Sequence, residues 1–231
     1  MQPESDPDPH WVEVLAATSA RRAALGVEEA ADDRKLFGHL AKEHAREGRR
    51  SYIEIDAPLE LYALARLLRP RHVLEVGVSS GVSSAYLLRA LEKNGRGTLH
   101  SIDLPQRPRR GAASRGGSSW SLPPGRESGW AVPFALRKRW DLRLGDKREL
   151  LPLLAEELPA VGLFVYDVPH EDGATAREFR KIDRLFPAGS VAIADHGPTA
   201  GLCPALRAWA RRRNAEPVRR AGLGLYGFRC A

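Results

Sequence analysis

Five short runs rich in aliphatic and β-branched residues, separated by segments with helical spacing, constrain this chain more than any other feature. They are His72–Gly77, Thr98–Asp103, Asp141–Leu144, Val161–Asp167 and Ser190–Asp195. Helical patterns at Ser83–Leu91, Lys147–Glu157, Thr175–Leu185 and Cys203–Arg213 follow four of them, the second expected to be interrupted near Pro152. Strands that alternate with helices need crossover connections, so they lie parallel in a sheet covered on both faces. Pro217–Val218 and Leu223–Cys230 come last with no helix between them and are expected to pair antiparallel. The fold class is thus α/β, a doubly wound, mostly parallel, seven-stranded sheet ending in an antiparallel hairpin.

Upstream of the first strand the chain reads as helical. Residues 1–10 are rich in Pro and Asp and are expected to be a disordered tail. Residues 11–69 carry the N-terminal helices: one or two in Trp11–Arg50, where Gly26 and Gly48 are expected breaks, and another opened by Pro58 and stopped at Pro70. Residues 70–231 form the sheet domain. At 231 residues one domain suffices. Without a long apolar run or a charged-then-apolar leader after Met1, a cytoplasmic protein is expected. Two cysteines, Cys203 and Cys230, are too few for a disulfide scaffold or a structural zinc site.

The net charge of +7 is concentrated. Between Leu104 and Trp140 stand Arg107, Arg109, Arg110, Arg115, Arg126, Arg137, Lys138 and Arg139 against Glu127 alone, which matches the excess of the whole chain. Such a cluster fits an anionic substrate or nucleic acid, or a solvated loop in an arginine-rich chain. The Gly/Ser/Pro/Arg-rich stretch Gly111–Gly129 inside this 104–140 loop reads as a structureless insertion, which is a lid, a binding loop or disorder; as a lid it would bring Trp120 and Trp130 over an acceptor. Phe164, Tyr166 and Trp209, by contrast, fall in apolar patterns and are expected in the core.

In an open parallel sheet, ligands bind beyond the carboxyl ends of the strands. The first strand runs into Glu75-Val-Gly77-Val-Ser79-Ser80-Gly81-Val-Ser83-Ser84, a tight turn into a helix N-terminus. A dinucleotide fingerprint would have glycines where this turn has Ser79 and Val82, so a pyrophosphate is poorly served. The second strand ends in Asp103, 26 residues after Gly77, where a carboxylate can take both hydroxyls of a ribose. Gly145-Asp146, Asp167-Val-Pro-His170 and Asp195-His196 end the next three. Each Asp alone could be a helix cap or turn former. Together on one rim they repel unless a cation or a donor-rich ligand is held there.

Glu75-x-Gly77-x-x-x-Gly81, Asp103, Gly145-Asp146, Asp167-x-x-His170 and Ala188-Gly189 before Asp195 resemble the Rossmann-type S-adenosylmethionine-dependent methyltransferases over about residues 52 to 230. Within them the chain looks closest to small-molecule O-methyltransferases related to catechol O-methyltransferase and to macrocin-type and cephalosporin-hydroxylase-like proteins. The resemblance implies a Rossmann-like methyltransferase sheet and S-adenosylmethionine as cofactor. It also implies that Glu75, Gly77, Ser79, Gly81 and Ser83 surround the methionine part, Ser83 touching its carboxylate. Asp103 would hold the ribose and Asp146 would face the adenine amine. By analogy with metal-dependent relatives, Asp167, Asp195 and His196 are ligand candidates for a divalent cation, Mg or Mn. His170 takes the place of the base, with Asp167 beside it in the catalytic set. His at 196 where relatives have Asn or Asp shifts preference away from Mg²⁺.

The expected reaction is methyl transfer to a hydroxyl of a small molecule, with a homodimer compatible and nucleic acid disfavoured. An NAD-type oxidoreductase shares the fold and the ribose Asp but needs the absent glycines. A nucleic-acid-modifying enzyme fits the basic segment, yet the Asn/Asp-Pro-Pro-aromatic motif of amino-group methyltransferases is missing. A non-catalytic descendant of the same fold is the last alternative.

Overall fold

A computed structural model describes residues 6–46, 58–105, 122, 125–168, 172–195, 201–221 and 224–231. Its centre is a seven-stranded sheet built from β1 (His72–Val76), β2 (Thr98–Asp103), β3 (Trp140–Leu144), β4 (Leu163–Tyr166), β5 (Val191–Asp195), β6 (Val218–Arg219) and β7 (Leu225–Arg229). The order across the sheet is β3-β2-β1-β4-β5-β7-β6. β1 to β5 are parallel, β7 runs antiparallel to β5, and β6 antiparallel to β7. This is the expected doubly wound sheet with its terminal hairpin.

Alternation along the strands separates two apolar layers. Val73, Leu99, Val165 and Ile193 face helices α1 (Pro9–Ala16), α2 (Ala20–Ala31), α4 (Pro58–Leu68) and α5 (Val82–Asn94). Leu74, Phe164, Tyr166 and Ala192 face α6 (Lys147–Glu157), α7 (Asp172–Ile182) and α8 (Pro204–Arg212). Another helix, α3 (Arg34–Arg46), extends the first layer. Phe164, Tyr166 and Trp209 are fully buried as expected, with Trp209 stacked on Phe179 at 4.7 Å between centroids.

Three local expectations need correction. Residues 6–10 are tied down: Asp8 caps α1 through Trp11 N, and Asp8 N and Arg220 both bond the buried Glu60; residues 1–5 lie outside the described residues. Gly26 does not break a helix but sits inside α2, where a Cβ would come within 3.2 Å of Ala63 Cβ, so its missing side chain lets α2 approach α4 closely. Pro152 does not interrupt α6. It deprives the Arg148 carbonyl of its helical donor, and Lys181 Nζ, 3.5 Å away, donates to that oxygen instead.

Candidate active site at the carboxyl ends of the strands

The β1–α5 turn is shaped by backbone crowding on both sides. Gly77 has φ +94°, and a Cβ there would lie 1.9 Å from the Asp167 carbonyl oxygen beyond β4. Gly81, the N-cap of α5, has φ +95° and would place a Cβ 2.9 Å from Gly129 Cα. Between them Ser79 also adopts a left-handed conformation, φ +51°. Its N–H donates to Asp103 Oδ2 at 3.1 Å, while Leu104 N–H donates to Oδ1 at 2.9 Å. Turn and strand end are thereby locked to each other, with the Asp103 carboxylate at the junction.

Behind the turn, Glu75 is completely buried. It accepts hydrogen bonds from Ser83 Oγ (2.8 Å), Ser84 Oγ (2.7 Å) and Ser101 Oγ (2.7 Å), and Ser101 Oγ in turn accepts from Trp140 Nε1 at 2.9 Å. Burial pushes the Glu75 carboxyl above its usual range, and the three hydroxyls oppose that shift. Glu75 therefore braces β1, β2 and α5 from inside. The Ser83 hydroxyl, expected on a cofactor carboxylate, is placed on Glu75, and Ser84 and Ser101 are partners that the strand-end motif did not single out.

The far end of the 104–140 loop folds onto the same turn. Gly129 N–H donates to Ser79 O at 2.8 Å and Ala131 N–H to Ser80 O at 3.0 Å; Ala131 and Val132 are buried. Trp130 is half-buried against the core, with the Arg126 guanidinium 5.0 Å from its ring centroid. From Gly125 onward the 104–140 loop contains turns docked on the β1–α5 turn, within the last residues of the stretch expected to be structureless, and then a 3-10 turn at Phe134–Arg139. The reason is the pair of backbone hydrogen bonds that the periodicity of a Gly/Ser-rich stretch does not announce. Trp120 and residues 106–121 lie outside the described residues.

A cleft of about 380 Å³ opens beside Asp103, within the range of small-molecule sites. Val76, Ile102, Leu104 and Val168 give it apolar walls. Asp103 and Asp146 line it, as do Lys147 and Glu178, which sequence reasoning passed over. Asp146 caps α6 by accepting from Arg148 N (2.8 Å) and also pairs with the Arg148 guanidinium, which brings its carboxyl down to about 2. Deeper, Lys147 donates to the Tyr166 hydroxyl, which donates to Glu178 Oε2 at 2.6 Å; Lys147 Nζ is 3.0 Å from the same oxygen. Burial and the neighbouring Glu178 carboxylate raise the Tyr166 hydroxyl pKa, so it remains a donor.

Asp167 and Asp195 stand at neighbouring strand tips, each directly after the paired residues Tyr166 and Ala194. The backbone N–H of Asp167 donates to Val76 O at 2.8 Å. His170 and His196 fall outside the described residues. Among the described residues no three His, Cys, Asp or Glu side chains gather in a metal-holding group. Nor is any helix there long and apolar enough to cross a membrane.

The model of a family described as a methyltransferase domain matches residues 74–196, which run from within β1 past the end of β5. No curated protein matches. Among solved structures, cofactor-bound Rv0187 from MTB superposes with a TM-score of 0.56 at 18% identity, covering 98% of this chain and 99% of that one. The O-methyltransferase TomG from Streptomyces achromogenes, involved in tomaymycin synthesis and solved with SAM, gives 0.54 at 17%, covering 89% and 94%. An O-methyltransferase from Bacillus cereus in complex with SAH gives 0.54 at 15%, covering 85% and 90%. At such identities the likeness is one of fold.

Proposed function

The chain belongs to the methyltransferase-domain family, and on that premise we propose that it transfers the methyl group of S-adenosylmethionine to a hydroxyl of a small molecule. The observation that carries this reading is the cleft itself: a ribose-type acid, Asp103, beside a turn without the phosphate-binding glycines, at the carboxyl ends of parallel strands. The solved neighbours that carry SAM, SAH or a bound cofactor lend it support. The bound cofactor would supply an electrophilic methyl on a sulfonium centre.

The chain's own residues then have two tasks, alignment and proton removal. Asp103 would accept from the two ribose hydroxyls, and its bond from Ser79 N–H ties the β1–α5 turn to that carboxylate. Leu104 and Val168 offer apolar surface to the adenine. His170, three residues beyond Asp167 in the chain, takes the acceptor's proton. Asp167 and Asp195, on adjoining tips with His196 next in sequence, would make a mixed carboxylate–imidazole donor set for a divalent cation, one that suits Mn²⁺ better than Mg²⁺. Such an ion would lower the pKa of an acceptor hydroxyl.

Two measurements test this reading. Titration calorimetry is expected to show binding of S-adenosylhomocysteine, and Asp103→Ala to weaken it by roughly 10- to 100-fold, the worth of hydrogen bonds to a charged group. Tight NAD binding with no heat from S-adenosylhomocysteine would replace the reading with an oxidoreductase. Exhaustive chelation is expected to abolish most turnover, restored by Mg²⁺ or Mn²⁺. Full turnover after chelation, with no metal found by elemental analysis, would assign Asp167 and Asp195 to hydrogen bonding alone.

A further inference from the structure

Lys147 and Glu178 line the candidate cofactor cleft, and the buried Tyr166 hydroxyl joins them in a cluster more elaborate than packing requires. Glu178 is 3% exposed, on the α7 face that also buries Phe179 and Ile182. One carboxylate oxygen, Oε2, takes both the Tyr166 hydroxyl and the Lys147 ammonium. The other, Oε1, is buried and has no hydrogen-bond partner among the described residues. An ionised oxygen left so is costly, which is why buried carboxylates normally have every acceptor position used. Rotation about the last side-chain torsion of Glu is soft, so the group can present either oxygen to a donor entering the cleft.

Lys147 points to the same conclusion from its position. It is the first residue of α6, where the helix dipole disfavours a cation. It is nonetheless held 4.8 Å over the Tyr166 ring and against Glu178. The ammonium neutralises the carboxylate and leaves one of its oxygens for a neutral donor. The residue expected to read the adenine amine, Asp146, is committed elsewhere. Its Oδ1 accepts Arg148 N and Nε, and its Oδ2 accepts Arg148 Nε and Nη2.

We propose that Glu178, neutralised by Lys147 and oriented by Tyr166, accepts the exocyclic amine of the adenine and makes this chain selective for an adenosine cofactor, the role that the strand-end pattern gives to Asp146. The proposal rests on the S-adenosylmethionine reading. It places base recognition on α7, so that the ribose acid after β2 and the base acceptor come from separate parts of the fold.

The test compares the dissociation constants of S-adenosylhomocysteine and its purine analogue lacking the 6-amino group. The native protein is expected to favour the amine by roughly 10-fold or more, as for one charge-assisted hydrogen bond. In Glu178→Gln, which keeps an acceptor for the Tyr166 hydroxyl, the preference is expected to fall to roughly threefold. The double variant Lys147→Met/Glu178→Leu replaces the ion pair by apolar groups of similar volume, an exchange that buried pairs often tolerate. Its preference is expected to vanish, while Asp146→Asn keeps the native ratio. A native ratio near one, or a ratio abolished by Asp146→Asn and untouched by the Glu178 variants, overturns the assignment to Glu178 and leaves the cofactor reading standing. Absence of any S-adenosylhomocysteine binding by the folded native protein overturns both.

Discussion

Gly77→Ala is expected to lower the melting temperature by about 6–12 °C and to abolish measurable S-adenosylhomocysteine binding. The left-handed conformation at φ +94° costs an alanine about 1–2 kcal/mol by itself. The larger cost is steric, because the new Cβ would stand 1.9 Å from the Asp167 carbonyl oxygen. Neither side can yield cheaply: Gly77 N–H is bonded to Ile102 O at 2.9 Å, and Asp167 N–H to Val76 O at 2.8 Å. A total of about 3 kcal/mol corresponds to that melting shift for a chain of this size. Relief by moving the turn would displace Ser79 from Asp103, so binding is lost even in folded protein. Gly95→Ala is the control, since its φ of +68° imposes a backbone cost but no atom of the described residues lies within 4 Å of the added Cβ. Differential scanning calorimetry on the two variants separates the effects. A Gly77→Ala protein that melts like Gly95→Ala and still binds would mean that the β1 and β4 ends move freely.

The features legible in the sequence were those set by local periodicity. Strand and helix alternate because buried strands and amphipathic helices have different repeats, and the absence of a helix before Leu225–Arg229 fixed the antiparallel hairpin. Gly26 and Pro152 misled for one reason: both read as breaks when the helix is considered alone. Contact with Ala63 in one case and a carbonyl partner from Lys181 in the other come only with tertiary packing. The rim acids were equally visible, but not their commitments. Nothing in the Asp146-Lys-Arg148 order says that Arg148 folds back onto the carboxylate, and Glu75 needed three serines from two elements to explain it. Glu178 had a readable signal. Thr175, Glu178, Phe179 and Ile182 share one face of α7 at helical spacing, and an acid on an otherwise buried stripe asks for a partner. Its partners, Tyr166 and Lys147, sit on β4 and α6, so the cluster exists only once both faces of that layer have closed.

His170→Ala is expected to lower kcat by roughly 100-fold or more, with S-adenosylhomocysteine affinity within about twofold of native. Methyl transfer to an alcohol or phenol requires the hydroxyl proton to leave as the carbon–oxygen bond forms, and a neutral imidazole near its ordinary pKa of about 6.5 is suited to take it. In the chain His170 follows Asp167 by three residues, and Asp167 is fixed to β1 through Val76 O. Pro169 between them restricts the backbone that carries the imidazole. Cofactor affinity, by contrast, is assigned to Asp103, the β1–α5 turn and the cleft walls, residues that the substitution leaves unchanged. The two readouts therefore part company: kcat falls while the binding isotherm stays, the reverse of Asp103→Ala at saturating acceptor. Any limb of the native pH–kcat profile that belongs to this base should be missing from the residual activity of the alanine variant. An unchanged kcat with an unchanged pH–rate profile would give deprotonation to a bound cation, another side chain or solvent.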